Sequence, residues 1–200
     1  MTGAEPLNDS SSDPERPGPV PLTAPLTAPI AEIVASRLRD VPDFPIHGVT
    51  FKDFTPLLSD GPALRAVVQD IASRYAGRVD VVVGIEARGL ILGAAVAYEL
   101  GIGFVPIRKA GKLPRHTHSV EYELEYGSAI IEVHADAFAG GTRAVVMDDV
   151  LATGGTAAAA CELVERAGGS VECVEVVLEL GFLNGRTKLS GRQIHAMLSQ

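Results

Sequence analysis

The sequence predicts an α/β fold, a mostly parallel central sheet flanked by helices. Three observations predict it. Short, wholly apolar runs, VVVG (81–84) and AVVM (144–147), suit strands covered on both faces. Stretches of about 10–15 residues with helical apolar spacing alternate with such runs. Glycines mark the junctions, as expected where strands turn into helices.

Composition bounds the rest. Of 200 residues, 46% are hydrophobic, enough for a sizeable core. Seventeen basic against 25 acidic residues give a net charge of -8, which argues against a general nucleic-acid binder but not against phosphorylated small molecules. Cys161 and Cys173 form neither a disulfide scaffold nor a CxxC metal pair. The most apolar stretch, 89–97, is too short for a bilayer span. No basic start followed by an apolar run marks a secretory signal, so a cytoplasmic location is expected.

Seven of the 13 prolines fall in the first 30 residues, and residues 1–20 carry four acids against the single Arg16. Such a segment cannot offset its ordering entropy, so 1–25 is expected to be a flexible acidic tail before a domain over 26–200. A helix is predicted over about 30–38, with Ile30, Ile33, Val34 and Leu38 on one face. Residues 43–58 read as extended or turned. Asp60-Gly61-Pro62 starts a helix whose buried stripe is Leu64, Val67, Val68 and Ile71. Strands are predicted at 79–84, 104–108, 129–133, 142–149 and, last, 171–180. Helices are predicted over about 89–100, ending at Gly101, and over 156–167. The polar stretch 108–127 reads as a mobile loop.

In such sheets ligands bind beyond the carboxyl ends of the strands. There VVMDDVLATGGT (145–156) carries the sharpest signal. Gly154 and Gly155 let backbone N–H groups approach an anion, the following helix offers its positive end, and Thr153 and Thr156 add hydroxyl donors. No lysine follows the glycines, so this is not a triphosphatase loop. Asp148 and Asp149 would be unhelpful beside a phosphate unless they accept hydrogen bonds from sugar hydroxyls. Phosphate loop and acid pair together describe a ribose 5-phosphate site.

Other rim residues fit around it. In GIEARG (84–89), Arg88 offers a planar donor fork for phosphate or diphosphate, and Glu86 is expected to orient it. Arg108, Lys109, Lys112, Arg115, His116 and His118 form the cationic cluster of the chain, suited to a charged leaving group. Two histidines without a third ligand do not make a metal site, whereas Mg²⁺ can be held through diphosphate, sugar hydroxyls and water. Glu125 in YELEYG (122–127) is a candidate proton donor or acceptor. Phe51, between Thr50 and Lys52, is either core filler or a stacking surface for a flat base.

VVMDDVLATGGT resembles the sugar-diphosphate signature of the type I phosphoribosyltransferases. FPIHGVTFKDFTP, GIEARG, IRKAGKLP and YELEYG resemble the adenine-specific branch of that family. The resemblance spans about 41–189. It implies a five-stranded parallel core with a small hood, a homodimer, and transfer from 5-phosphoribosyl 1-diphosphate to adenine with Mg²⁺. It implies that Ala152, Thr153, Gly154, Gly155 and Thr156 hold the 5′-phosphate and Asp148 and Asp149 the ribose. Arg88, Lys109 and Lys112 would serve the diphosphate, and Phe51 and Leu180 would sandwich the base near Thr50. Glu125 would be the acid/base, with Tyr126 in the closing loop. Lys52 stands where some members have arginine. Another purine as acceptor, or a regulator that senses these ligands without turnover, remains open at this point.

Overall fold

In a computed structural model, the structure describes residues 28–123 and 127–200. The expected tail over 1–25 lies outside the described residues.

β3 (Val81–Ile85) is buried along its whole length, as expected of a strand built of four β-branched residues and Gly84. It pairs in parallel with β4 (Gly103–Lys109) on one side and β7 (Arg143–Leu151) on the other. β8 (Ser170–Glu179) and β9 (Ile194–Ser199) continue the parallel order beyond β7. β6 (Ser128–His134) and β5 (Thr117–Glu123) extend it antiparallel beyond β4. The order is β5-β6-β4-β3-β7-β8-β9, so the expected five parallel strands are present, with a hairpin at one edge.

Each face of the sheet carries its own core. Val82, Val145, Met147 and Val177 face α1 (Ile30–Ala35), α2 (Thr55–Ser59), α3 (Gly61–Tyr75) and α4 (Arg88–Leu100). Val81, Val83, Val146 and Val176 face α5 (Gly155–Arg166). The alternation follows from the period-two geometry of strands. Asp60 caps α3 by accepting from the Ala63 N–H, and Gly101 ends α4 in the left-handed region.

Four expectations are corrected. The first helix stops at Ala35 rather than 38, because the chain turns to pair β1 (Arg39–Val41) with β2 (Phe51–Asp53) in a separate two-stranded sheet. Within 43–58, read as extended or turned, α2 also forms, with Leu57 buried. The 108–127 stretch holds β5, whose Val120 and Tyr122 pack inward between polar neighbours. The strand at 171–180 is not the last, since β9 follows it.

Candidate active site

The chain order reverses at β3, whose neighbours are β4 on one side and β7 on the other. The carboxyl ends of these three strands meet at one edge, the switch point where open sheets bind ligands. That edge gathers Glu86 and Arg88, Arg108 and Lys109, and Asp148 and Asp149.

The loop after β7 is a cradle. Gly154 sits at φ +79° and α5 begins beyond it without a side-chain cap, leaving the first helix N–H groups for another acceptor. A cavity of about 60 Å³ is lined by Asp148, Ala152, Thr153, Gly154 and Thr156 among others. It has room for a small polyatomic group and none for a base. Gly155 is buried, and a Cβ on it would lie 3.0 Å from the Glu123 carbonyl oxygen.

The sequence reading missed what backs this cradle. A Cβ on Gly154 would collide with the Gly185 carbonyl oxygen, and one on Gly185 with the Ala152 carbonyl oxygen. The turn bearing Gly185 is tied down by Arg186, which donates to both carboxylate oxygens of Glu179 at 2.7 and 2.8 Å. The glycine and the arginine of 185–186 were visible in the sequence, but no local pattern said that they touch residues 152–154.

Asp148 and Asp149 stand at the rim. Asp148 accepts from the Asp149 N–H at 2.9 Å. Its pKa is raised, first by withdrawal from solvent and then by the Asp149 charge. Asp149 is buried, and its Oδ2 has no hydrogen-bond partner, although Arg88 Nε lies 2.5 Å away as an ion pair. The contact is close but poorly directed, so this oxygen still has acceptor capacity. Gly89 permits the approach: a Cβ there would meet the Met147 carbonyl oxygen at 2.5 Å and Asp148 Oδ1 at 3.1 Å.

Glu86 does not orient Arg88, contrary to expectation. It binds Arg108 at 2.9 Å and accepts the Lys109 N–H at 2.9 Å, and Arg108 chiefly holds its pKa down. Arg88 instead pairs with Asp149 and lies over Phe51 and Phe54, 5.1 and 5.7 Å from their ring centroids. The cationic stretch is also not a free loop through its first half. Glu132, a buried carboxylate in β6, accepts the Lys112 and Leu113 N–H groups at 3.0 and 2.9 Å.

A second cavity, about 500 Å³, is lined by Asp40, Gly48, Val49, Thr50, Lys52, Leu180, Phe182 and Leu183. Its volume suits a small organic ligand. Lys52 is held to Asp40 at 2.8 Å. Phe51 alternates to the other side of β2, where the edge of Phe44 meets it with centroids 5.2 Å apart. Glu125 and Tyr126 lie outside the described residues.

Comparison with known proteins shows the family. The phosphoribosyl transferase domain family matches residues 58–187. An adenine phosphoribosyltransferase of Salinispora tropica is 61% identical over 171 residues, which cover 84% of this chain and 90% of that protein. The crystal structure of adenine phosphoribosyltransferase from Thermoanaerobacter pseudethanolicus superposes with a TM-score of 0.82 at 46% identity, covering 85% of this chain and 99% of that one. The Saccharomyces cerevisiae enzyme, crystallised with an imino-altritol bisphosphate and adenine, does so with a TM-score of 0.81 at 37% identity, over 84% and 98%. On the family match, the high identity and the shared fold, the chain belongs to the adenine phosphoribosyltransferases of the type I phosphoribosyltransferase family.

Proposed function

We infer that this protein transfers the 5-phosphoribosyl group from 5-phosphoribosyl 1-diphosphate to adenine, giving AMP and diphosphate, a step of purine salvage. The observation that carries this is a small cavity lined by the 152–156 loop beside the Asp148–Asp149 pair, in which the buried Asp149 Oδ2 has no hydrogen-bond partner and only the Arg88 ion pair on it.

Ala152 to Thr156 grip the 5′-phosphate through backbone N–H groups and hydroxyls. Asp148 and Asp149 accept from the ribose hydroxyls and place negative charge near C1′, where cationic character develops as the bond to diphosphate breaks. Arg88, Lys109 and Lys112 receive the departing diphosphate. Arg88 leaves Asp149 to do so, and its departure opens a face of Phe51 to the base. Phe51 and Leu180 enclose adenine once the 50–52 segment turns Phe51 from its present side of β2 toward the cavity that Leu180, Thr50 and Lys52 line. N9 of adenine, bound as its N7–H tautomer, bonds to C1′ in line with the leaving oxygen, and Glu125 serves as general acid/base at N7, taking the proton from it, with Tyr126 its neighbour in sequence.

Mg²⁺ fits this donor set as a companion of the substrate. It would be held mainly through diphosphate and ribose oxygens and water, with Asp148 and Asp149 holding the ribose hydroxyls. Bound there, the ion offsets the charge of the leaving group.

Ile91 and Tyr98, both exposed on α4 and seven residues apart, put apolar surface on one helical face, which supports the homodimer. No helix among the described residues is long and apolar enough to cross a membrane. Cys161 and Cys173 are buried free thiols, in keeping with a reducing cytoplasm. Incubation with Mg²⁺, labelled sugar diphosphate and a mixture of adenine, guanine, hypoxanthine and xanthine tests the reading. Labelled AMP is expected; another nucleotide, or none, overturns it.

A further inference from the structure

Glu132 lies on β6, away from the cradle and the acid pair, and the steps above do not use it. Its carboxylate is buried, yet among the described residues no cationic side chain lies at hydrogen-bond distance from it; its partners are two backbone N–H groups and one hydroxyl. Oε1 accepts the N–H groups of Lys112 and Leu113, and Oε2 receives a long contact from the Thr117 hydroxyl at 3.4 Å. The turn it holds is tight: Lys112 N–H also reaches the Lys109 carbonyl at 3.2 Å, and Gly111 sits at φ +78°. Ala110 N–H bonds to the Ile130 carbonyl at 3.0 Å, and Arg108 pairs with Glu132 in the β4–β6 ladder. Glu86 holds the start of the same stretch through Arg108 and the Lys109 N–H.

We propose that Glu132 is a positioning residue for the sugar diphosphate: it folds the 109–113 turn around one carboxylate oxygen so that Lys109 and Lys112 stand ready at the sheet edge before substrate arrives. Consecutive N–H groups converging on one anionic oxygen make a compact, directional anchor. A turn fixed in advance does not have to be ordered on binding. The proposal rests on the reading that these lysines meet the diphosphate.

The test compares Glu132→Ala and Glu132→Gln in the full-length protein. The Ala variant should raise KM for the sugar diphosphate about tenfold or more, since a displaced binding group is costly. KM for adenine and the affinity for ribose 5-phosphate, read by calorimetry, should stay within about twofold, below the tenfold step that 1.4 kcal/mol represents. The Gln variant keeps an oxygen that accepts both N–H groups and should restore KM to within about threefold of the parent. Hydrogen exchange on the unmodified, ligand-free protein should find the Lys112 and Leu113 amides protected, a result that stands even if the Ala variant does not fold. An unchanged KM in the Ala variant, an equal weakening of all three ligands, or unprotected amides would each overturn the proposal. Failure of the parent to bind ribose 5-phosphate or diphosphate would instead sink the reading of the site itself.

Discussion

Gly154 and Gly185 meet backbone to backbone, so closely that a Cβ on either would strike a carbonyl oxygen of the opposing segment. The cradle is therefore moulded from behind by a turn remote in sequence. Glu179 fixes that turn through Arg186 and is also reached by the Ser199 hydroxyl at 3.2 Å. β9, which carries Ser199, thus bears on the shape of the cradle.

Gly185→Ala should push the Ala152 carbonyl and shift the donors of the cradle. The expected loss in ribose 5-phosphate affinity is about 10- to 100-fold, the scale of a displacement near one ångström. Calorimetric titration reads it, and parent-like affinity would show that the loop relaxes without consequence.

Asp149→Asn separates the two rim carboxylates electrically. Burial and the Asp149 charge both raise the Asp148 pKa, so Asp148 loses its charge at a higher pH than an ordinary carboxyl as the medium is acidified. Removing the neighbouring charge lowers that pKa. The acid limb of kcat/KM for the sugar diphosphate should therefore move to lower pH while the plateau falls. A limb that stays in place or moves upward would contradict the coupling.

Tyr75→Phe probes a network away from the chemistry. The Tyr75 hydroxyl donates to Glu175 at 2.7 Å, and Arg74 and His195 reach the other oxygen at 3.1 and 3.0 Å. Burial pushes the Glu175 pKa up, and the tyrosine partly opposes that. A group whose folded pKa is raised costs nothing below its unfolded value and destabilises as pH rises through the folded one. The variant should lose about 1–3 kcal/mol near neutral pH, the cost of an unsatisfied buried acceptor. The loss should shrink toward pH 4, with KM values unchanged. Denaturant melts at the two pH values check the sign.

Glu125→Gln should lower turnover by about 10²- to 10⁴-fold, the range for general acid–base catalysis, with sugar-diphosphate binding mostly kept. Steady-state kinetics with both substrates varied separate the two effects. Near-normal turnover would remove the proton-transfer role.

Strand segments buried on both faces, β3 and 144–147 of β7, were legible because they are continuous apolar runs. The cradle was legible because its glycines, hydroxyls and acids are adjacent in sequence. β5 was hidden: His118 and the acids around Val120 and Tyr122 mask its alternation, and Gly111 and Pro114 just before it read as loop. β9, mostly half-buried along its length, mixes polar and apolar residues. The Glu86–Arg108 pair could not be foreseen either, because Arg88 is the nearer arginine in sequence and only the β3–β4 register brings Arg108 alongside. Partners chosen by sheet register or by turns folding back across the edge leave no local trace in sequence.

A crystal structure with AMP, or with ribose 5-phosphate and diphosphate, tests the central claim most directly. The phosphate should sit on the backbone of residues 152–156 with a ribose hydroxyl on Asp149 Oδ2, and Arg88 should have moved off that oxygen. A phosphate bound elsewhere, with Arg88 still on Asp149, would contradict the account.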